Sequence, residues 1–301
     1  MKYTLFSNFT KKNIQQLITT ITMKKNISHF IIALGLLTVP VTSSLAQVNP
    51  YRADINKDGE VNVGDISRII RLMADGNTHI IDMSPEGAEA IDMGLPSGTK
   101  WANMNVGANN PEEYGLFFAW GETTGYDSDT SDGRIFEWAQ YKWLSEGGSS
   151  WTQVNKYQIN DNRISACWYD NEGKYIGDNK VMLEMEDDAA MAHWGMKWRI
   201  PTYAEMEELA DFCNVNWMTK NGVNGLEFTS KINGNSIFLP AAGYRNDNLV
   251  NNIGSNGAYW TSTLRSTDTL FAGCLNLSST GVEMPYNDRF NGCSIRPVLR
   301  K

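Results

Sequence analysis

An α+β fold, with a small antiparallel sheet and two helices, is what this sequence predicts for most of its length. Three observations carry that expectation. Beyond Pro85 the chain is rich in Gly, Asn and aromatic residues, its short apolar runs are broken by turn dipeptides, and all ten Trp fall between positions 101 and 260. Between Asp75 and Glu89, residues Gly76, Asn77, Ser84, Pro85 and Gly87 interrupt any helical period. Residues 77–85 therefore read as a linker, and residues 86–301 as one domain.

The clearer helix begins at Thr202, whose hydroxyl can cap while Glu205, three residues on, reaches back in a capping box. Met206, Leu209, Ala210 and Cys213 share its expected buried face, and Glu207, Glu208 and Asp211 its solvent side. A second helix is expected from near Asp187 through Ala189, Ala190, Met191 and Trp194. The acidic run Glu184, Glu186, Asp187 and Asp188 then suits the positive end of its dipole. Strands are expected at 236–239, 259–263, 269–277 and 293–299, each bounded by Gly or Asn. The alternation that turns Leu275 and Leu277 inward turns Cys274 outward, whereas Cys293 shares parity with Ile295 and faces the core.

The sequence has 26 Lys plus Arg against 34 Asp plus Glu, and all five basic residues of the first 46 (Lys2, Lys11, Lys12, Lys24, Lys25) precede any acidic one. Without that stretch, 21 basic residues face 34 acidic ones, a net charge of −13. Such a chain repels phosphate backbones and anionic lipid surfaces, so nucleic acid is not an expected partner. Only His79 and His193 lie beyond the N-terminal region, too few for a zinc site built from several histidines. Gly-x-Ser-x-Gly, Gly-x-Gly-x-x-Gly and phosphate-loop patterns are absent, and no enzyme activity is expected.

Lys24 and Lys25 precede an apolar run over 30–37, Pro40 and the small-x-small pattern Ser44-Leu45-Ala46. Residues 1–46 thus read as a secretory signal region, with Met23 an alternative start. The apolar run is too short to span a membrane, and no Cys lies near the cleavage site. An exported chain that is not a lipoprotein is expected, whether extracellular, cell-surface-associated or periplasmic. Its four Cys admit three complete disulfide pairings, weighed against Cys213 or Cys293 as buried, unpaired small hydrophobes.

Asp54, Asn56 and Asp58 stand at alternate positions, Gly59 allows a sharp turn, Glu60 offers its backbone carbonyl, and Asp65 closes a twelve-residue loop. Oxygen ligands at that spacing suit Ca2+. Ile66, Ile69, Ile70 and Met73 then share one helical face. Residues 50–76 resemble one repeat of a type I dockerin, an EF-hand-like unit, and the resemblance implies cohesin-like docking. That family uses two repeats, and one is found here. The apolar helical face therefore needs burial on the main domain or on a partner, and a calcium-stiffened spacer is the favoured reading.

Four stretches together point to a family for the large domain. They are Asp92-Met93-Gly94-Leu95-Pro96-Ser97-Gly98 with Trp101 and Asn105-Val106-Gly107-Ala108, Gly115 with Ala119-Trp120-Gly121-Glu122, and Glu186-Asp187-Asp188-Ala189-Ala190 with Trp194-Gly195 and Trp198-Arg199-Ile200-Pro201-Thr202. The fourth is Tyr259-Trp260-Thr261-Ser262 with Arg289, Gly292 and Ser294-Ile295-Arg296-Pro297-Val298. Over about residues 90–298 the chain resembles the Fibrobacter major paralogous domain of exported Bacteroidetes proteins. That family is similar to the C-type-lectin-like fold, shared by sulfatase-modifying (formylglycine-generating) enzymes and by retroelement-diversified receptors.

The resemblance frames the expected functions. The leading one is a non-catalytic recognition module that presents loops between 244 and 291 to a glycan or a cell-surface protein. Tyr244, Arg245, Tyr259, Asn287, Asp288 and Arg289 are its candidate ligand-binding residues, while Trp260 is expected in the core. A sharper form treats those loops as genetically diversified. Calcium-bridged sugar binding is not expected there, since Tyr286-Asn287-Asp288 only faintly resembles the Trp-Asn-Asp of calcium-dependent lectins. A second reading is assembly through the calcium unit. A third is an oxidase similar to the sulfatase-modifying enzymes, whose copper is held by a closely spaced Cys pair. Here Cys167, Cys213, Cys274 and Cys293 stand at least nineteen residues apart.

Overall fold

A computed structural model describes residues 82–160 and 168–300. The predicted calcium loop at Asp54–Asp65, its helix and the signal region lie outside the described residues. From Asp82 onward the chain forms one compact unit. It is an assembly of small antiparallel sheets with few helices, and among the described residues no helix is long and apolar enough to cross a membrane.

Strands β1 (Ala90–Asp92) and β2 (Lys100–Ala102) form a hairpin, followed by a long segment of loops and single 3-10 turns. Helix α1 (Ala189–Trp194), strand β3 (Trp198–Arg199) and helix α2 (Tyr203–Phe212) come next. The capping box is formed as the sequence predicts: Thr202 accepts the Glu205 N–H at 3.2 Å, and Glu205 accepts the Thr202 N–H at 2.9 Å. Met206 and Leu209 are buried. Glu208, expected on the solvent side, instead accepts the Ser97 N–H at 2.9 Å, so it ties the β1–β2 turn to the helix.

Cys213 does not continue that helix. It opens β4 (Cys213–Lys220), which pairs along its whole length with β5 (Val223–Ser230). Asn221 and Gly222 make the two-residue turn, both at positive φ (48° and 84°), the conformation that aligns a hairpin with the right-handed strand twist. β6 (Ser236–Pro240) completes this sheet, and β7 (Tyr244–Asn246) and β8 (Leu249–Asn251) form a separate hairpin.

β9 (Asn256–Leu264) and β10 (Phe271–Ser278) pair at the centre of the domain, with β11 (Gly281–Glu283) and β12 (Tyr286–Asp288) successively on the other edge of β10. The strand expected at 293–299 shrinks to β13 (Val298–Leu299) between β2 and β3. The chain changes partners there: Cys293 bridges Phe118, Ser294 bridges Tyr259, and Pro297 has no N–H to give a ladder.

Both faces of the β9–β10 pair are covered. Tyr259, Leu275 and Leu277 pack with Met206, Leu209, Phe228 and Trp101, while Trp260, Ala272 and Cys274 pack with Trp120, Trp194, Cys293 and Ile295. This corrects the expectation that Cys274 faces outward. Alternation sorts its neighbours onto opposite faces, but a strand in the middle of two cores has no solvent face.

Loops dominate the first half, so many buried carbonyls have no ladder partner. Arg289 and Arg296, both 0 % exposed, supply donors instead. Arg296 donates from Nη1 to the Ala102 carbonyl at 3.1 Å, from Nη2 to the Phe238 carbonyl at 2.8 Å and from Nε to Asn105 Oδ1 at 2.9 Å. Arg289 donates to the carbonyls of Lys156 (2.9 Å), Tyr157 (3.2 Å) and Thr269 (3.0 Å) and to the Tyr141 hydroxyl (2.9 Å). Arg289→Lys keeps the charge but not the planar fork that serves all four oxygens. The expected loss is about 3 kcal/mol or more of unfolding free energy, read by urea denaturation followed through tryptophan fluorescence. A change under about 0.5 kcal/mol would show that the fork is dispensable.

Candidate functional site

The six predicted ligand-binding residues separate into two groups. Arg245, Tyr259 and Arg289 are fully buried and engaged internally, which corrects their assignment to an accessible face. Arg245 pairs with Asp132 at 2.6 Å, and the Phe136 ring stands 5.0 Å from its guanidinium. Tyr259 donates to the Pro240 carbonyl at 2.6 Å, and burial pushes its hydroxyl pKa up to about 12. Arg289 is the internal clamp described above. Each long side chain carries polar atoms that carbonyls or acids of other segments capture, and composition alone does not reveal that capture.

Tyr244, Asn287 and Asp288 are half-buried. Asn287 Oδ1 accepts the Asp288 N–H at 3.0 Å and the Asn291 amide at 2.8 Å, and Asn291 Oδ1 in turn accepts the Asn246 amide at 2.6 Å. This asparagine ladder fixes the 286–292 turn against β7. Burial raises the Asp288 carboxyl pKa, with the negative charge of Asp268 adding to it.

The exposed feature of the same region is Tyr286, one residue before the predicted pair and on the opposite side of β12. Its ring is 38 % exposed and stacks on Tyr203 with centroids 5.2 Å apart and planes 4° from parallel. The Arg265 guanidinium lies over the Tyr286 ring at 5.2 Å. Tyr203, the first residue of α2, donates its hydroxyl to the Met284 carbonyl at 2.7 Å and its N–H to Thr263 Oγ1 at 3.0 Å. Gly273 faces Tyr286 across the β10–β12 ladder, and a Cβ there would run into the Tyr203 ring. The missing side chain is what lets Tyr203 lie flat on the sheet and present its outer face to Tyr286. Close by, exposed Met182 bridges Thr263 at the end of β9. Sequence reasoning missed Tyr203, Arg265 and Tyr286. In β12 the inward Asn287 turns Tyr286 outward by strand parity, a signal that was out of reach while no strand was expected at 286–288.

A second polar centre is buried. Asp187 receives Lys156 Nζ and the Tyr157 hydroxyl, both at 2.5 Å, and Lys142 Nζ at 3.3 Å. It is therefore the acceptor of an ion cluster and not a dipole-facing surface acid. Tyr157 holds a left-handed backbone, φ 60°, because Asp178 accepts both its N–H (2.9 Å) and that of Gln158 (2.8 Å). Every donor and acceptor named here is matched inside the cluster, which suits a structural anchor.

Cys274 and Cys293 belong to the same buried cluster, and both are fully buried. With no exposed surface, the pair offers a substrate no face. Among the described residues, no three His, Cys, Asp or Glu side chains converge into a group that could hold a metal ion. Comparison of the chain with protein-family models, curated proteins and solved structures found no match.

Two carboxylates give the domain a defined pH response. Asp188, the N-cap of α1, accepts the N–H groups of Met191 (3.0 Å) and Ile200 (2.9 Å), but its burial outweighs them and raises its pKa to about 6. Its contribution to stability is full below the unfolded carboxylate value and lost as pH rises through about 6. Burial also opposes the charge on Glu205, but the Arg199 ion pair at 2.6 Å prevails and holds its pKa at about 2. Its contribution is full above the ordinary carboxylate range and fades as pH falls through about 2. Asp188→Asn is therefore expected to remove a loss of roughly 2–3 kcal/mol that the natural chain shows between about pH 4 and 7, measured by denaturation across that range. Parallel curves for the two chains would refute the assignment.

Proposed function

We propose that the chain is an exported, non-catalytic binding or adhesion protein. In this reading residues 86–301 are a recognition domain of the C-type-lectin-like class, of the kind found in Fibrobacter major paralogous proteins. Residues 50–76 form a dockerin-like module stiffened by Ca2+. The observation that carries the reading is Tyr286, an exposed aromatic ring backed by Tyr203 and overlain by Arg265. An aromatic surface beside a guanidinium suits a sugar ring or the rim of a surface protein, with apolar contact to the tyrosine and hydrogen bonds to the arginine. Loop position agrees with that role, since the turn is held by β10 and by the asparagine ladder.

Assembly is the alternative, favoured by the apolar stripe Ile66, Ile69, Ile70 and Met73, which a cohesin-like or other assembly partner would cover. An oxidase of the sulfatase-modifying type is the least supported, because Cys274 and Cys293 are both sealed in the core.

Binding to arrayed host, dietary and microbial glycans and to surface proteins tests the leading reading. Tyr286→Ala and Arg265→Ala are each expected to weaken a saturable interaction about tenfold or more while leaving the folded spectrum unchanged. Binding that survives both substitutions would remove this surface from the function. Separately, Asp54→Ala and Asp58→Ala are each expected to abolish Ca2+ uptake by residues 54–65 in calorimetry, with glycan or protein binding by the large domain unaffected by chelation. Unchanged uptake in both variants would sink the calcium assignment.

A further inference from the structure

The three-stranded sheet β4–β5–β6 has two outer edges, and only one of them is closed. In β5 the even-numbered residues bond towards β6 and its flanks: the Asn224 carbonyl accepts the Ala241 N–H at 2.8 Å, and the Ser230 N–H donates to the Asn235 carbonyl at 2.9 Å. The odd-numbered ones therefore bond to β4, where Lys220, Met218, Asn216 and Asn214 stand opposite them. Val215, Trp217 and Thr219 are left with their backbone N–H and C=O groups pointing away from the sheet, and among the described residues none of these groups meets a partner. On the opposite edge the outward groups of β6 are met. The Phe238 carbonyl accepts Arg296 Nη2 at 2.8 Å, the Pro240 carbonyl accepts the Tyr259 hydroxyl at 2.6 Å, and Pro240 has no N–H to offer.

The long strand β9 is closed in the same way on the side away from β10. Its Leu264 N–H donates to the Val181 carbonyl at 2.8 Å, its Trp260 N–H to the Ser294 carbonyl at 3.0 Å, and its Ser262 carbonyl accepts the Leu183 N–H at 2.9 Å. The edge strands β1, β3, β8, β11 and β12 are two or three residues long. β4 has eight residues in unbroken register, no Pro, and a single charge, Lys220, at its end. An open edge of that length and regularity is a template for another strand.

We propose that this strand is β4 of a second copy of the chain, paired antiparallel about a two-fold axis at Trp217. The register makes the edge self-complementary. With Trp217 opposite its counterpart, exposed Val215 faces the partner's Thr219 and Thr219 the partner's Val215, and each of these pairs exchanges two hydrogen bonds, so every open group is met. On the solvent face Asn216 meets the partner's Met218, and exposed Asn214 meets the partner's Lys220, so no like charges stand opposite each other. Residues 213–220 contain no acid, although the whole chain has 34 acidic residues against 26 basic ones. Two copies of an acidic protein can thus approach along this edge without setting carboxylates against each other.

Sedimentation velocity of the full-length chain from about 1 to about 100 µM tests the proposal, and the expected mass rises from one chain to two across that range. Thr219→Pro removes an N–H that faces the open edge and spares the β4–β5 ladder, so it is expected to weaken the dimer about tenfold or more. The register is tested by charge. Asn214→Lys sets Lys against the partner's Lys220 and is expected to weaken the dimer about threefold, whereas Asn214→Glu is expected to tighten it by a similar factor although it adds negative charge to the chain. Hydrogen exchange in residues 213–220 should slow as the dimer forms. A single-chain mass throughout, or a dimer indifferent to all three substitutions, would overturn the proposal. Slow exchange of 213–220 in a chain that stays single would also overturn it, and would show that a segment of the same chain outside the described residues covers the edge.

Discussion

A domain built from short strands and long loops has more buried carbonyls than its ladders can satisfy, and its structure depends on how those oxygens are met. Arginine is suited to the task because one planar group presents five donors and keeps them aligned without a carboxylate partner. Arg289 gathers the Lys156, Tyr157 and Thr269 carbonyls, so a loop of the first half and the β9–β10 connection are fixed to the C-terminal turn by one side chain. Arg296 does the same for β2 and β6. The cost of burying these cations is visible at Arg296, whose pKa falls to about 10 through desolvation. It is offset because removing water from the arginine also removes it from the oxygens it serves, and each such bond then strengthens in the low-dielectric interior.

The β9–β10 pair divides the space that these clamps enclose. One face carries Tyr259, Leu275 and Leu277, the other Trp260, Ala272 and Cys274, and every one of these is buried. On the Trp260 face of the dividing sheet two buried indoles find oxygens: Trp260 Nε1 donates to the Phe118 carbonyl at 2.7 Å and Trp120 Nε1 to the Thr261 carbonyl at 2.8 Å. Where this central pair ends, Gly273 leaves a flat patch, Tyr203 fills it, and Tyr286 rests on Tyr203 at the surface. The exposed tyrosine is thus the outermost layer of a stack that begins at the central sheet.

How much of this was legible in the sequence depends on the range of the interaction. The α2 cap was readable because Thr202 and Glu205 contact each other three residues apart. The Asn221-Gly222 turn carried the local signal for the β4–β5 hairpin, and reading Cys213 as helical obscured it. Cys274 was misplaced because alternation tells which residues share a face but not whether the other face is covered. Arg245 and Arg289 looked like ligand-binding groups because sequence gives their chemistry but not the carbonyls, more than a hundred residues away, that capture them. The platform was missed by one residue: Asn287 was chosen on type, and only its inward amide shows that Tyr286 faces out.

The strained backbone at Tyr157 shows why the exposed surface is stiff. A bulky residue at φ 60° costs on the order of 1–3 kcal/mol and persists only where its surroundings over-determine it. Here Asp178 holds the N–H groups of Tyr157 and Gln158, Asp187 accepts the Tyr157 hydroxyl, and Arg289 takes its carbonyl. Arg289 directly follows β12, the strand that bears Tyr286. A shift of Tyr286 away from Tyr203 would pull on Arg289, and through it on a residue that has no relaxed alternative within its cage. On the proposed recognition reading, a ligand at Tyr286 would meet a surface tied to the core, which lowers the conformational entropy lost on contact.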